Sequence, residues 1–238
     1  MFGTNPLRRP IVSNGMELSV VETFRTIQGE GPLSGLPATF VRLAGCNLRC
    51  HFCDTDFESN TQLLSIDALL SLVSPGETPM AERRLVVITG GEPLRQEIGP
   101  FCDELLCRGH AVQVETAGTV WPSLGLPEAV DIVCSPKTGH VHPEVYRRCR
   151  DWKYIVGAGD HPVDLRGLPT SPTQERNGRP QHLAKGEGQV WLQPRFDYID
   201  GMEPDVAANE RNVERARDLC LIFGHRLSLQ IHKMIGLP

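Results

Sequence analysis

The chain has 238 residues, 40% hydrophobic and 22% charged, with a formal net charge of −5, a composition ordinary for a soluble globular protein. The acidic balance gives no general attraction to nucleic acid or anionic lipid, and no apolar run approaches the roughly 20 residues needed to span a bilayer. Residues 1–16 hold Arg8 and Arg9 but no apolar signal core, so the expectation is a cytoplasmic protein with no nucleic-acid or membrane partner, made of a loose extension over 1–16 and a single domain over 17–238.

Residues 17–26 carry Leu18, Val20, Val21 and Phe24 and predict a first strand. Ile27-Gln28-Gly29-Glu30-Gly31-Pro32 follows, a turn whose glycines let the backbone approach a ligand closely. Taken alone it reads more readily as a plain surface turn. Residues 38–43 predict a second strand with Phe40 and Arg42 on one face. An arginine inside an apolar strand needs a partner, which is either a structural carboxylate or an anionic ligand.

The next stretch, from Cys46 to Thr55, places Cys46, Cys50 and Cys53 at C-x3-C-x2-C spacing on a loop just beyond that strand. Structural zinc takes four protein ligands, with cysteines usually in two pairs, and here there is one trio. A four-iron cluster ordinarily uses four thiolates. Three would leave one iron without a protein ligand and open to a substrate or cofactor. The remaining cysteines, Cys102, Cys107, Cys134, Cys149 and Cys220, are scattered without a C-x2-C pair and are read as buried, reduced core thiols.

Ser65 caps a predicted short helix with Ile66, Leu69, Leu70 and Val73 on one face, stopped by Pro75-Gly76. Residues 85–89 are a continuous apolar run, as in a strand buried on both faces. That run ends in Gly90-Gly91-Glu92-Pro93, and a helix through Ile98, Phe101, Cys102, Leu105 and Leu106 closes at Gly109. Strands follow at 111–115, 131–135 and 151–156, and then an irregular loop over 157–188 with room for a short helix. A strand at 189–194 precedes a helix over 205–223, with Val213, Ala216, Cys220 and Phe223 expected inward, and a last strand at 227–231.

Strands alternating with helices predict a mostly parallel sheet of about six repeats. Polar motifs recur at the strand carboxyl ends, the face on which parallel barrels build their active sites. No linker divides the chain.

The cysteine spacing resembles that of the radical S-adenosylmethionine (SAM) superfamily. From about residue 17 to the end, the chain resembles the 7-carboxy-7-deazaguanine synthase family within it. The motifs that carry the resemblance are Gln28-Gly29-Glu30-Gly31, the cysteine loop, Thr89-Gly90-Gly91-Glu92-Pro93, Glu115-Thr116, Ser135-Pro136-Lys137, Gln193-Pro194 and the ending from His232 to Pro238. The resemblance implies a partial (βα)6 barrel with some helices shortened. It implies a lyase that converts 6-carboxy-5,6,7,8-tetrahydropterin to 7-carboxy-7-deazaguanine with release of ammonia, in the pathway to queuosine and related deazapurines. In that reaction a 5′-deoxyadenosyl radical takes hydrogen from C6, the pterin ring contracts, and SAM is regenerated.

The resemblance also assigns roles. Cys46, Cys50 and Cys53 would ligate a 4Fe–4S cluster with one open iron. Phe52, Cys53, Asp54, Gly91, Glu92, Ser135, Pro136, Lys137 and Gln193 would contact SAM. Ile27, Gln28, Gly29, Arg42, Thr89, His232 and Pro238 would hold the pterin, Pro238 through a terminal carboxylate, and Thr55 would give its hydroxyl to Mg2+. A one-electron donor such as a flavodoxin and a homodimer are implied as well. His51 is read as a packing residue. The segment from Arg195 to Gly201 is longer than the family's usual form. The competing readings are another radical SAM enzyme, such as a glycyl-radical activase, and a non-enzymatic iron–sulfur or zinc sensor.

Overall fold

The computed structural model describes residues 5–73, 84–159, 163–173, 182–199 and 203–238. Its frame is a run of parallel strands with apolar cores. These are β2 (Pro37–Leu43), β4 (Leu85–Gly90), β5 (Ala111–Thr116), β6 (Asp131–Cys134), β7 (Asp151–Val156) and β8 (Gln189–Pro194), with the two-residue β11 (Arg226–Leu227) at one edge. At the other edge the long β1 (Glu17–Ile27) pairs antiparallel with β2 and with β3 (Gln62–Ser65). The sheet order is β11-β8-β7-β6-β5-β4-β2-β1-β3. β4 is the central apolar run expected of it, with every residue from Leu85 to Thr89 buried.

Helices cover the outer face. Ser65 Oγ accepts from Ala68 N at 3.3 Å at the start of α1 (Ile66–Val73), whose Ile66, Leu69, Leu70 and Val73 are buried. α2 (Gly99–Cys107) links β4 to β5, and α3 (Pro143–Arg148) links β6 to β7. α4 (Val206–Phe223) leads from β8 towards β11; Asp205 Oδ1 accepts from Ala208 N at 3.0 Å at its start, and Gly224, at φ 74°, ends it. Among the described residues the crossovers from β5 to β6 and from β7 to β8 carry no helix. The result is the partial (βα)6 barrel with shortened helices. One contiguous core runs from Leu18 in β1 to Cys220 in α4. No helix of the described residues is long and apolar enough to cross a membrane.

Several local expectations need correction. The inward face of α4 is Asn212, Ala216, Leu219 and Cys220, whereas Val213 and Phe223 are 38% and 37% exposed. The face shifts because Asn212, a polar residue with no hydrophobic signal, is buried to serve the backbone. Its amide donates to Arg195 O at 2.9 Å and accepts from Ala158 N at 2.7 Å. The last strand stops at Leu227 rather than running to 231. Ser228 N still donates to Leu192 O at 2.9 Å, but Ser228 Oγ accepts from Gly31 N at 2.9 Å, and the chain turns into the short α5 (Ile231–Met234). Cys107 is exposed, while Cys102, Cys134, Cys149 and Cys220 are buried as expected.

The described parts of 157–188 hold no helix. The extra length after Pro194 forms a small hairpin of β9 (Tyr198–Ile199) and β10 (Glu203–Pro204). Residues 5–16 are not loose: Arg8 N donates to Cys46 O at 2.7 Å and Ile11 N to Arg95 O at 2.6 Å. The Pro75-Gly76 stop lies outside the described residues.

Candidate active site

The polar carboxyl ends of the parallel strands surround a cavity of about 530 Å3. On one wall lies the cysteine loop. Gly45, at φ 79°, turns the chain out of β2, and Cys46, Cys50 and Cys53 all face the cavity. Burial pushes the Cys46 thiol up to about 12 and raises that of Cys53. Cys46 Sγ accepts from Leu48 N at 3.4 Å, and Cys50 Sγ accepts from Thr173 Oγ1 at 3.1 Å. Among the described residues no trio of His, Cys, Asp or Glu is already drawn together around a metal position. The donor chemistry still fits a thiolate-bound cluster. Three soft sulfurs line one cavity, and a bound metal deprotonates a coordinating thiol even where bare protein resists it.

Beside the loop, the end of β4 packs against it as closely as backbone permits. A Cβ at Gly90 would collide with Leu43 O and one at Gly91 with Gly45 O, so only glycine fits at either position. Glu92 N donates to Gly45 O at 3.0 Å. The Glu92 side chain does not reach the cavity. It is fully buried and accepts from Thr116 Oγ1 at 2.6 Å, Ala117 N at 2.8 Å and Leu94 N at 3.0 Å. Its carboxylate therefore bolts the end of β5 to the end of β4. Beside it, Lys137 Nζ donates to Ser135 O at 2.9 Å and also to Ser135 Oγ. Burial lowers the Lys137 pKa, with the Cys50 sulfur opposing.

The remaining wall is a network of carboxylates and amides. Glu30 pairs with Lys153 and accepts from Gln230 Nε2 at 2.7 Å and Gln193 Nε2 at 3.2 Å. Burial alone would raise the Glu30 carboxyl, but the Lys153 ammonium and the hydrogen bonds outweigh it and hold the group at about 2. Lys153 is likewise pushed down by burial yet pulled above its ordinary range by Glu30 and Glu115. Glu115 accepts from Gln28 Nε2 at 3.0 Å and from Thr89 Oγ1 at 3.4 Å.

Arg42 finds its carboxylate partner across the strand pair: its Nε lies 2.7 Å from Glu22 Oε1, and its guanidinium sits 5.6 Å from the Phe24 ring centroid. Both residues face the cavity, with Phe24 and Phe40 stacked at 5.3 Å. Across the mouth, Lys233 pairs with Asp54 at 2.7 Å and lies 4.1 Å from the Phe196 ring centroid and 5.6 Å from that of Tyr198. Thr55 Oγ1 donates to Asp54 Oδ1 at 3.4 Å, and Thr26 Oγ1 donates to Pro238 O at 3.0 Å.

Of the residues singled out in the sequence, Ile27, Gln28, Arg42, Cys46, Cys50, Phe52, Cys53, Asp54, Thr55, Thr89, Gly91, Ser135, Lys137, Gln193, His232 and Pro238 line the cavity; Gly29, Glu92 and Pro136 do not. Gly29 packs so closely on the His232 ring that a Cβ there would overlap it. His51 is exposed, its ring edge-on to Phe52 at 5.0 Å. Sequence reasoning assigned no role to Glu30, Glu115, Lys153, Gln230 or Lys233, all of which face the cavity. Lys153 carried the same signal as Arg42, a lone cation inside an apolar strand.

No protein-family model matches the chain. It is 43% identical over 238 residues to the 7-carboxy-7-deazaguanine synthase of Rhodospirillum rubrum, with 99% of each chain covered. It is 38% identical to the 7-carboxy-7-deazaguanine synthase of Rickettsia prowazekii, covering 100% of this chain and 96% of that one. The crystal structure of QueE from Escherichia coli superposes with a TM-score of 0.62 at 25% identity, over 90% of this chain and 94% of that one. Full-length identity at this level places the chain in the 7-carboxy-7-deazaguanine synthase family.

Proposed function

We propose that the cavity at the carboxyl ends of β2 to β8 is where this chain performs its family's reaction. The reaction converts 6-carboxy-5,6,7,8-tetrahydropterin to 7-carboxy-7-deazaguanine with release of ammonia, in queuosine biosynthesis. One observation carries the reading: the three cysteines and Arg42, far apart in chemistry, face one cavity. Its volume of about 530 Å3 falls within the roughly 300–1,000 Å3 usual for small-molecule sites.

Cys46, Cys50 and Cys53 would hold a 4Fe–4S cluster and leave one iron for SAM. When bound, that pair supplies one-electron chemistry at C6 of the pterin. The protein's own work is positioning. Gly91 lets backbone close on the cofactor, with Phe52, Asp54, Ser135, Lys137 and Gln193 around it. Glu92 and Pro136 act through the backbone they fix. Arg42 offers a planar fork suited to the substrate carboxylate, with Glu22 holding its guanidinium in line. Gln28, Thr89, His232 and the oxygens at Pro238 face the flat edge of the pterin, whose N–H groups need acceptors, and Gly29 lets His232 seat. Ile27 packs beside them. The Asp54–Lys233 pair and the Phe196 and Tyr198 rings exclude water at the mouth.

Thr55, with Asp54 and Asp56 nearby on the cavity wall, would take Mg2+. The ion prefers six oxygens and keeps several waters, so substrate oxygens complete its shell and its occupancy follows substrate. The reading extends to residues 17–238 as one catalytic domain, a one-electron donor such as a flavodoxin, a cytoplasmic setting and a homodimer. Anaerobic incubation with the carboxypterin, SAM, dithionite and Mg2+ tests it. Product and ammonia should accumulate well beyond the SAM consumed. A cluster-loaded chain that gives neither rejects the assignment.

A further inference from the structure

The segment before β1 does not trail into solvent but runs along the cysteine loop. Leu7 forms a parallel bridge with Cys46, and Arg8 N donates to Cys46 O at 2.7 Å. Arg49 Nε, in the middle of the loop, donates to Asn5 O at 3.0 Å. Past the last cysteine, Glu58 takes the Arg8 guanidinium at 2.7 Å. The segment thus touches the loop at its entry, middle and exit.

Arg95, just after the Gly-Gly-Glu turn and only 7% exposed, joins these parts from beneath. Its Nη1 donates to Ala44 O at 2.9 Å and its Nη2 to Arg9 O at 2.9 Å. Its own carbonyl accepts from Ile11 N at 2.6 Å. A Cβ on Gly45 would lie 2.9 Å from Arg95 Nη1 and 3.0 Å from Arg8 Cγ, so the loop's entry is pressed between strap and guanidinium.

We infer that residues 5–11 form a strap that holds the cluster loop in its ligating shape, with Arg95 as the positioning residue that fastens strap to loop. This rests on the reading that Cys46, Cys50 and Cys53 ligate the cluster. A loop carrying three ligands must stay ordered for the cluster to persist, and ordering it costs conformational entropy at each residue. Backbone bonds from the strap supply that order in advance. The exposed Arg8–Glu58 pair adds little by itself; the main-chain bonds and buried Arg95 do most of the holding.

The test compares the full chain with one lacking residues 1–11 and with Arg95→Met, each loaded anaerobically. The rate of iron release to a ferrous chelator is followed through loss of the visible cluster absorbance, with circular dichroism as the control for folding. The truncated chain should release iron about tenfold faster, and Arg95→Met should do so as well, with secondary structure unchanged. Release rates unchanged in both variants overturn the strap while leaving the cluster assignment intact. A full chain that takes up no iron overturns the cluster assignment, and the strap's role with it.

Discussion

Lys153, in the middle of β7, reaches Glu30, in the turn after β1, and the two form an ion pair in the floor of the cavity. Both side chains are more than four-fifths buried, at 8% and 13% exposure, and 123 residues separate them in the chain. The pair therefore ties the antiparallel edge of the sheet to the parallel strands directly beneath the site. Removing one member leaves a buried charge uncompensated, which costs about 3–5 kcal/mol, whereas replacing both costs less. Lys153→Met should unfold at markedly lower denaturant than the Glu30→Gln, Lys153→Met double variant, as measured by urea titration.

The same carboxylate predicts an acid limit. Its pKa in the folded chain is about 2, below the ordinary 4.5, so the stabilisation is fully present above pH 4.5 and is lost as pH falls towards 2. Melting temperature should decline through that window. The Glu30→Gln chain, though less stable overall, should decline less steeply there.

Arg42 and Glu22 face the cavity together. If the guanidinium binds the substrate carboxylate as a fork, Arg42→Lys should raise KM about tenfold or more, because lysine offers a point charge without the bidentate geometry. Glu22→Gln should raise it less, since only the alignment of the guanidinium is lost. Steady-state kinetics under anaerobic conditions separate the two. Equal effects from both variants would mark the pair as structural only.

At Gly91 the obstacle to a side chain is the backbone of Gly45 rather than a movable side-chain tip. Gly91→Ala should destabilise the chain by about 1–3 kcal/mol, the usual cost of forcing extra atoms into packed structure. It should also weaken SAM binding. Thermal unfolding and SAM titration of the loaded chain check both parts.

Lys233 closes the mouth by an ion pair with Asp54 and by its place over two rings. Lys233→Ala should lower kcat/KM about five- to thirtyfold, the range corresponding to a partly desolvated cation–π contact worth about 1–2 kcal/mol. Lys233→Arg should recover much of that loss. No change in either variant would remove the mouth from the account.

The sequence was most legible where one residue does one local job. Ser65 caps a helix, and the apolar run of β4 is buried throughout. The three cysteines and the Gly-Gly turn could be placed because spacing alone brings them to strand ends. What escaped was long-range. Asn212 turns inward only because Arg195 and Ala158 need its amide. Gln230 leaves the expected last strand to bond Glu30, 200 residues away. The strap over Cys46 likewise depends on Arg95, which no local periodicity marks. Such partners exist only once the sheet has closed.

The proposed chemistry depends on the three cysteines in this cavity carrying a cluster with one iron left for SAM. Electron paramagnetic resonance of the anaerobically reconstituted, dithionite-reduced chain tests it directly. About four iron atoms per chain and a cluster signal that shifts when SAM is added are the expected result. A chain that holds zinc in place of iron, or a cluster signal that SAM leaves unchanged, would contradict it.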